Sequence, residues 1–414
     1  MAKLLLIDDS PMRPDLEAAL RARGYDLTVV ADGQDGLREA RADAFDCICL
    51  DLLTPTLHGF ELIQLLRSTF STLRTPIVAV TDKTYNTDLR QALTLGADAV
   101  LERMAGQEPI IAAVEEQLAA VRVTFWGVRG SIASPGPETA RYGGNTPCVT
   151  VSHGRETLIL DAGTGIRRLG LVLQSEARGR PLTCSLLVTH THWDHIQGFP
   201  FFVPAYGAAN KVDIWGPRSL TRPLEDVLRG QMNPEYFPVA LGDMAARIVV
   251  HEIRERVFDV GPFKVQHAYM NHPSITLGYR VTIAGRTVVY ATDTEPFGRL
   301  LGQVAPTSVA ADVHALDSRL VSLASNADLY IADAQYVSSE YRTKAGWGHC
   351  AAEDAVSIAH EASVKRLALF SHDPMQDDDA VDRKVSASQA LAAALSPESK
   401  MVVLGAREGQ SVRL

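Results

Sequence analysis

The chain has 414 residues, 46% apolar and 21% charged, the make-up of a globular protein long enough for two or three domains and not of a disordered or fibrous one. Its net charge of -9 argues against extended nucleic-acid binding, since a polyanion meets repulsion on average and no basic run offsets it. Lys3 to Ile7 is a short continuous apolar run, suited to a strand covered on both faces, and Asp8-Asp9-Ser10 follows at its carboxyl end. Helical text from Pro14 to Arg23 stops at Gly24, Tyr25 to Val30 is strand-like, Gly33 to Ala42 helical, and Asp46 to Leu50 a strand that runs into Asp51. The alternation continues through Gly59 to Ser68, Pro76 to Val80, Asn86 to Gly96, Ala99 to Leu101 and Pro109 to Ala120. This order predicts a parallel sheet with right-handed crossovers and a ligand site beyond the strands' carboxyl ends. Asp8, Asp9 and Asp51 fall at such ends, where three carboxylates need a hard cation such as Mg²⁺ between them.

Those residues, with Thr81 after Ile77 to Val80, resemble the receiver domain of two-component response regulators, so residues 1–121 are expected to form a flavodoxin-like (βα)5 receiver. The resemblance implies that Asp51 accepts a phosphoryl group from a sensor histidine kinase, that Asp8, Asp9 and Asp51 bind Mg²⁺, and that Thr81 is the switch hydroxyl. Arg103-Met104 stands where the family carries Lys-Pro, and Val100 where it carries an aromatic. A guanidinium at the switch position can still pair a phosphate, with a different reach from an ammonium. The last helix leads into Val121 without a Gly/Ser- or Pro-rich linker, a stiff junction through which a shift could pass.

In the second part, Val123 to Trp126, Val149 to Val151 and Leu158 to Leu160 read as strands, the last ending in Asp161, a carboxylate suited to fixing an imidazole tautomer. Ser185 to Thr189 is a further buried strand, and His190-Thr-His192-Trp-Asp194-His195 leaves its end. Three His and one Asp in six residues cost desolvation unless a cation holds them, so this is a metal site. His190 and His192 can serve one ion while Asp194 and His195 face a second. The aromatic run from Phe199 to Tyr206 is either core or a surface for a base. Strand-like text then leads to His272, to Asp293, to Asp333 and to His372, while Gly348-His349 opens a helix whose amino end favours phosphate. A polar insertion near residues 305–326 reads as a lid or a solvated excursion.

The HxHxDH pattern resembles the signature of metallo-β-lactamase-fold hydrolases. The later motifs are similar in order to those of the ribonuclease Z and cyclic-nucleotide phosphodiesterase branch, so residues 122–414 are expected to form an αββα hydrolase domain. This resemblance implies that His190, His192 and His272 hold one metal, that Asp194, His195 and His372 hold another, and that Asp293 joins the two. It makes His349 the proton donor to the leaving oxygen, catalytic together with Asp194. Ligand softness favours Zn²⁺, and such sites also accept Mn²⁺ or Fe. The expected activity is a two-component-regulated phosphodiesterase on a small, nucleotide-like substrate, cyclic ones included. The alternatives are an RNA 3′-end endonuclease, a thioester or lactone hydrolase and a non-catalytic signalling adaptor. Against the endonuclease, nothing between Phe199 and His272 reads as the long Gly/Pro-rich arm by which ribonuclease Z grips transfer RNA. Five scattered Cys without a CxxC pair, no long apolar run and Asp8-Asp9 so near the start point to a cytoplasmic protein without a membrane partner. A homodimer is compatible with this reading.

Overall fold

The computed structural model describes residues 1–82, 85–219, 221–301, 310–396, 398 and 400–414. They divide into two compact units, Met1–Ala120 with Leu171–Arg180, and Val121–Gly170 with Pro181–Leu414.

In the first unit, β1 (Lys3–Ile7), α1 (Arg13–Ala22), β2 (Asp26–Val30), α2 (Gly33–Ala42), β3 (Cys47–Asp51), α3 (Gly59–Ser68), β4 (Ile77–Thr81), α4 (Asn86–Leu95), β5 (Ala99–Glu102) and α5 (Gln107–Ala119) follow one another. The sheet order is β2-β1-β3-β4-β5, with every pairing parallel. Near-continuous apolar strands make this arrangement stable, because helices cover both faces. Leu5, Ile7, Ile48 and Leu50 pack on one side, and Leu4, Leu6, Cys47 and Cys49 on the other. The order reverses between β1 and β3, so the chain leaves Asp8 and Asp51 side by side at the switch point. This is the predicted receiver arrangement, with boundaries shifted by one or two residues.

Ala120 alone separates α5 from β6 (Val121–Gly127). The second unit continues with β7 (Cys148–His153), β8 (Glu156–Leu160), β9 (Thr183–Leu187), β10 (Lys211–Gly216), β11 (Arg247–Glu252), β12 (Val257–Val260), β13 (Phe263–Tyr269), β14 (Leu277–Ile283), β15 (Arg286–Ala291), β16 (Leu329–Asp333), β17 (Arg366–Phe370), β18 (Val402–Gly405) and β19 (Ser411–Arg413). Two mixed sheets result, β11-β10-β9-β8-β7-β6-β19 and β12-β13-β14-β15-β16-β17-β18.

Their inner faces share one core, in which Phe125, Val151 and Leu160 of the first sheet meet Val281, Tyr290 and Phe370 of the second. The Phe370 ring lies 6.1 Å from Phe125 and 5.7 Å from Tyr290, centroid to centroid. The outer face of the second sheet carries the helices Ala352–Glu361 and Asp378–Leu395, whose Val356 and Val381 share one core cluster with Leu369. Two packed sheets with helices outside are the αββα fold. Of the polar insertion, residues 302–309 lie outside the described residues, while Ala310–Ala324 is a helix. Among the described residues no helix is long and apolar enough to cross a membrane.

Phe370 is fully buried between the sheets. Phe370→Ala should lower stability by about 3–5 kcal/mol, the cost of removing a packed aromatic and leaving a cavity. The expected readout is a lower urea midpoint for the second unit at unchanged slope.

Candidate functional site

The chemistry-bearing residues of the second unit, His349 excepted, sit at or just past the carboxyl ends of strands, while His349 lies shortly before the helix Ala352–Glu361. Asp161 follows β8, His190 to His195 follow β9, His272 follows β13, Asp293 follows β15, Asp333 closes β16 and His372 follows β17. The chain turns sharply there, and Asp161, Asp293 and Ser371 adopt left-handed backbone with φ of 60°, 55° and 56°. Such conformations cost about 1–3 kcal/mol each outside the residues that tolerate them, and they persist where packing imposes them.

Asp293 is the centre of the cluster. Its Oδ2 lies 3.3 Å from His195 Nε2, 3.6 Å from His190 Nε2 and 3.9 Å from His272 Nε2. His190, His192 and His272 form one group of donor atoms close enough to share an ion, His190, His195 and Asp293 form another, and His272, Asp293 and His349 a third. Asp194 joins through its Oδ2, 3.4 Å from His195 Nε2, and takes a hydrogen bond from the Ser131 N–H at 2.8 Å. The buried Nε2 atoms of His190 and His195 have no hydrogen-bond partner, which is the state of a donor set shaped for a cation.

Charge tells the same story. Burial, helped by the neighbouring imidazoles, holds His190 well below the usual imidazole range, and burial lowers His192 and His272 as well, so all three keep lone pairs. Burial would also lower His195, but Asp293, Asp194 and Asp161 override it and push that ring well up. The pocket therefore demands positive charge, and a divalent cation meets that demand. These residues fit the metal that the fold implies.

His372 departs from the expected grouping. It is buried, its Nε2 donates to the Ala406 carbonyl at 3.0 Å, and its ring packs edge-on against Tyr142. The strand-like bridge between Arg129 and His372 sets this position, and among the described residues neither His372 nor Asp194 belongs to any of the three donor groups. A carbonyl can only accept, so the lone pair sits on Nδ1, which is buried without a partner.

The supporting residues were mostly invisible in the sequence. Asp161 does hold an imidazole, with Oδ2 2.8 Å from His195 Nδ1, and it is itself held by the Thr189 N–H and the Tyr290 hydroxyl. In the sequence Asp333 shows only as the end of a strand. Its Oδ2 lies 2.9 Å from His349 Nδ1, and its carboxylate also accepts the N–H groups of Thr294 and Gln335. That bond turns His349 Nε2 toward Asp293 Oδ2, 4.0 Å away. Burial would lower His349, but Asp333 and Asp293 outweigh it and push the imidazole up to about 9.

Glu295 was the other omission. Its carboxylate accepts from the Gly346 and Gly348 N–H groups, while its own backbone exchanges hydrogen bonds with Asn271, tying the His272 loop to the His349 loop. The Gly348 carbonyl in turn receives His272 Nδ1 at 2.9 Å. Gly348 has φ 84°, and a Cβ there would stand 2.3 Å from that same Nδ1. Only glycine permits this approach.

In the first unit, oxygens of Asp8, Asp9 and Asp51 lie within 4.8 Å of one another, a set that fits Mg²⁺. Thr81 is buried at the end of β4. Arg103 reaches into the pocket, donating to Asp8 Oδ2 at 2.8 Å and to Asp51 Oδ2 at 2.6 Å. Burial pushes the Asp51 carboxyl up, against the Leu53 N–H and Arg103, which pull it down.

Residues 156–372 match the family described as the β-lactamase superfamily domain, and residues 4–115 match the response regulator receiver domain. The chain belongs to the β-lactamase superfamily. A receiver domain stands at its amino-terminal side. Ribonuclease Z of Lactococcus lactis subsp. cremoris is 27% identical over 234 residues, covering 48% of this superfamily member and 73% of the relative. The transcriptional activator protein PfeR of Pseudomonas aeruginosa is 34% identical over 122 residues, 29% of this chain and 39% of PfeR, so the chain spans well under half of that protein. The metallo-beta-lactamase fold protein YhfI of Bacillus subtilis is similar with a TM-score of 0.48 and 17% identity, over 72% of this chain and 100% of that one. Membership in the superfamily implies a hydrolase that binds divalent metal, and the receiver implies Mg²⁺ and a histidine-kinase phosphodonor.

Asp161→Asn keeps the shape but removes the charge that orients His195. Metal affinity should fall about 10- to 100-fold. Competition with a chromogenic chelator measures it, and an unchanged affinity would show that Asp161 serves packing alone.

Proposed function

We propose that this chain is a two-component-regulated phosphodiesterase that cleaves a small, nucleotide-like phosphodiester in the cytoplasm. The observation that carries the reading is the His349 arrangement, in which one ring nitrogen is fixed by Asp333 and the other faces the Asp293 cluster. In this reading His190, His192 and His272 hold one metal, Asp194, His195 and the free Nδ1 of His372 hold a second, and Asp293 serves both. Bound there, two divalent cations supply Lewis acidity and a nucleophile from water at neutral pH.

The chain's own residues do the rest. Asp161 and Asp333 hold His195 and His349 in single tautomers, the Ser131 N–H fixes Asp194, and His349 Nε2–H donates its proton to the leaving oxygen. A phosphodiester expels an alkoxide that needs this proton. A lactone or thioester, whose reaction turns on carbonyl attack, depends on it less.

The name of the Lactococcus relative supports a second reading, cleavage of RNA. The net charge of -9 favours a small substrate over a polyanion. Between Phe199 and His272 the described residues are taken up by β10 to β13, the α-helix Leu224–Gln231, three short 3₁₀ turns and the connections between them. The five buried cysteines, all thiols, agree with a reducing compartment.

Control would enter at Asp51. Arg103 neutralises Asp8 and Asp51 in the resting pocket, so a phosphoryl group there must recruit or displace that guanidinium.

Two outcomes are expected. In a screen of phosphodiesters with zinc-loaded protein, His349→Ala should slow turnover about 10²- to 10⁴-fold at unchanged zinc content. A loss under threefold would instead support an esterase-like substrate, and cleavage of pre-transfer RNA alone would support the endonuclease. With Mg²⁺ present, beryllofluoride should change the hydrolysis rate of the wild type and leave Asp51→Ala unaffected. An equal response in both proteins removes Asp51 from the control of the hydrolase.

A further inference from the structure

Trp347 has no part in the chemistry above, yet the structure holds it with unusual care. The ring is 57% exposed, while the N–H groups on both sides of it, at Gly346 and Gly348, donate to Glu295 at 2.9 and 3.1 Å. Glu295 is 2% exposed and also accepts the Tyr341 hydroxyl. The Trp347 N–H donates to the Lys344 carbonyl at 3.1 Å, and this turn lays Lys344 Nζ 4.4 Å from the centre of the Trp347 ring. The same ammonium lies 5.6 Å from the Tyr336 ring, which packs edge-on against His349 at 6.0 Å. Among the described residues Lys344 has no carboxylate partner. An exposed indole is thus fixed one residue from Gly348, whose carbonyl holds His272, and two from His349, with the Lys344 ammonium laid against its ring.

A solvent-facing aromatic pinned by its backbone is ready to bind, because little ordering remains to be done. With Lys344 covering part of the ring, the open remainder offers a π surface, and the ammonium offers charge to a nearby anion. One ligand chemistry combines both, a planar base joined to a phosphate. We infer that Trp347, backed by Lys344, is the platform on which the base of a nucleotide substrate stacks, on the leaving-group side of the scissile bond. The side assignment rests on the phosphodiesterase reading of His349, whereas the stacking site itself does not.

The test is binding of adenosine 5′-monophosphate and ribose 5-phosphate to the full zinc-loaded chain, measured by calorimetry. The wild type should bind the adenine compound about 5- to 150-fold more tightly, the range that one base-aromatic stack supplies. Trp347→Ala should remove that ratio, leaving ribose 5-phosphate affinity unchanged, and Trp347→Phe should retain most of it. A ratio near one in the wild type, or a ratio that survives Trp347→Ala, overturns the inference. Loss of the ratio in Trp347→Ala by a protein that cleaves no phosphodiester keeps the stacking site and rejects the activity. Cleavage of diesters with an unaffected ratio does the reverse.

Discussion

A single carboxylate, Asp293, carries the organisation of the second unit. It is 2% exposed, and four imidazoles, those of His190, His195, His272 and His349, reach it within 4.0 Å. A buried ion of this kind is tolerable only with compensating charge, and protonated rings or a cation can provide it. The fold leaves the inner nitrogens of His190 and His195 without hydrogen bonds and keeps His190, His192 and His272 unprotonated, a donor set suited to a metal. Strand ends from both sheets meet at this point because each apolar strand stops where the polar donors begin.

Around that centre, three carboxylates act through other groups. Asp161 aims His195 from behind, Asp333 aims His349, and Glu295 holds the backbone of the two loops that deliver His272 and His349. None of the three belongs to a donor group, yet each decides where a ring nitrogen points. Positioning of this kind is what separates a cluster of histidines from a working site, because an imidazole that can rotate offers its lone pair only part of the time.

The first unit answers the same electrostatic problem differently. Its acidic pocket brings Asp8, Asp9 and Asp51 together, and Arg103 already spans two of them. A guanidinium makes several directed bonds at once, where an ammonium would make a single compact contact. The resting pocket is consequently closer to neutral than three carboxylates imply, and an added phosphoryl group meets a donor that is already in place.

Much of this was legible along the chain. The alternation of apolar runs and helical text foretold the parallel sheet, because strands buried on both faces must be continuously apolar. The HxHxDH run announced a metal because its donors are neighbours in sequence. Strands β11, β12, β14, β18 and β19 are not legible in the sequence; the first, second, fourth and fifth are half-exposed edge strands with little apolar signal. Asp333 and Glu295 escaped for a different reason, as a lone carboxylate after a strand looks the same whether it caps a turn or steers a catalytic ring. Residue type and local spacing marked His190, His192, Asp194 and His195 as candidate cation donors, while His272, Asp293 and His372 came from the family resemblance. Which nitrogen of each ring faces inward, that His372 rests on the Ala406 carbonyl, and that Arg103 enters the acidic pocket depended on distant segments meeting in space. Hydrogen-bond direction is a property of three-dimensional neighbours, and one-dimensional order does not contain it.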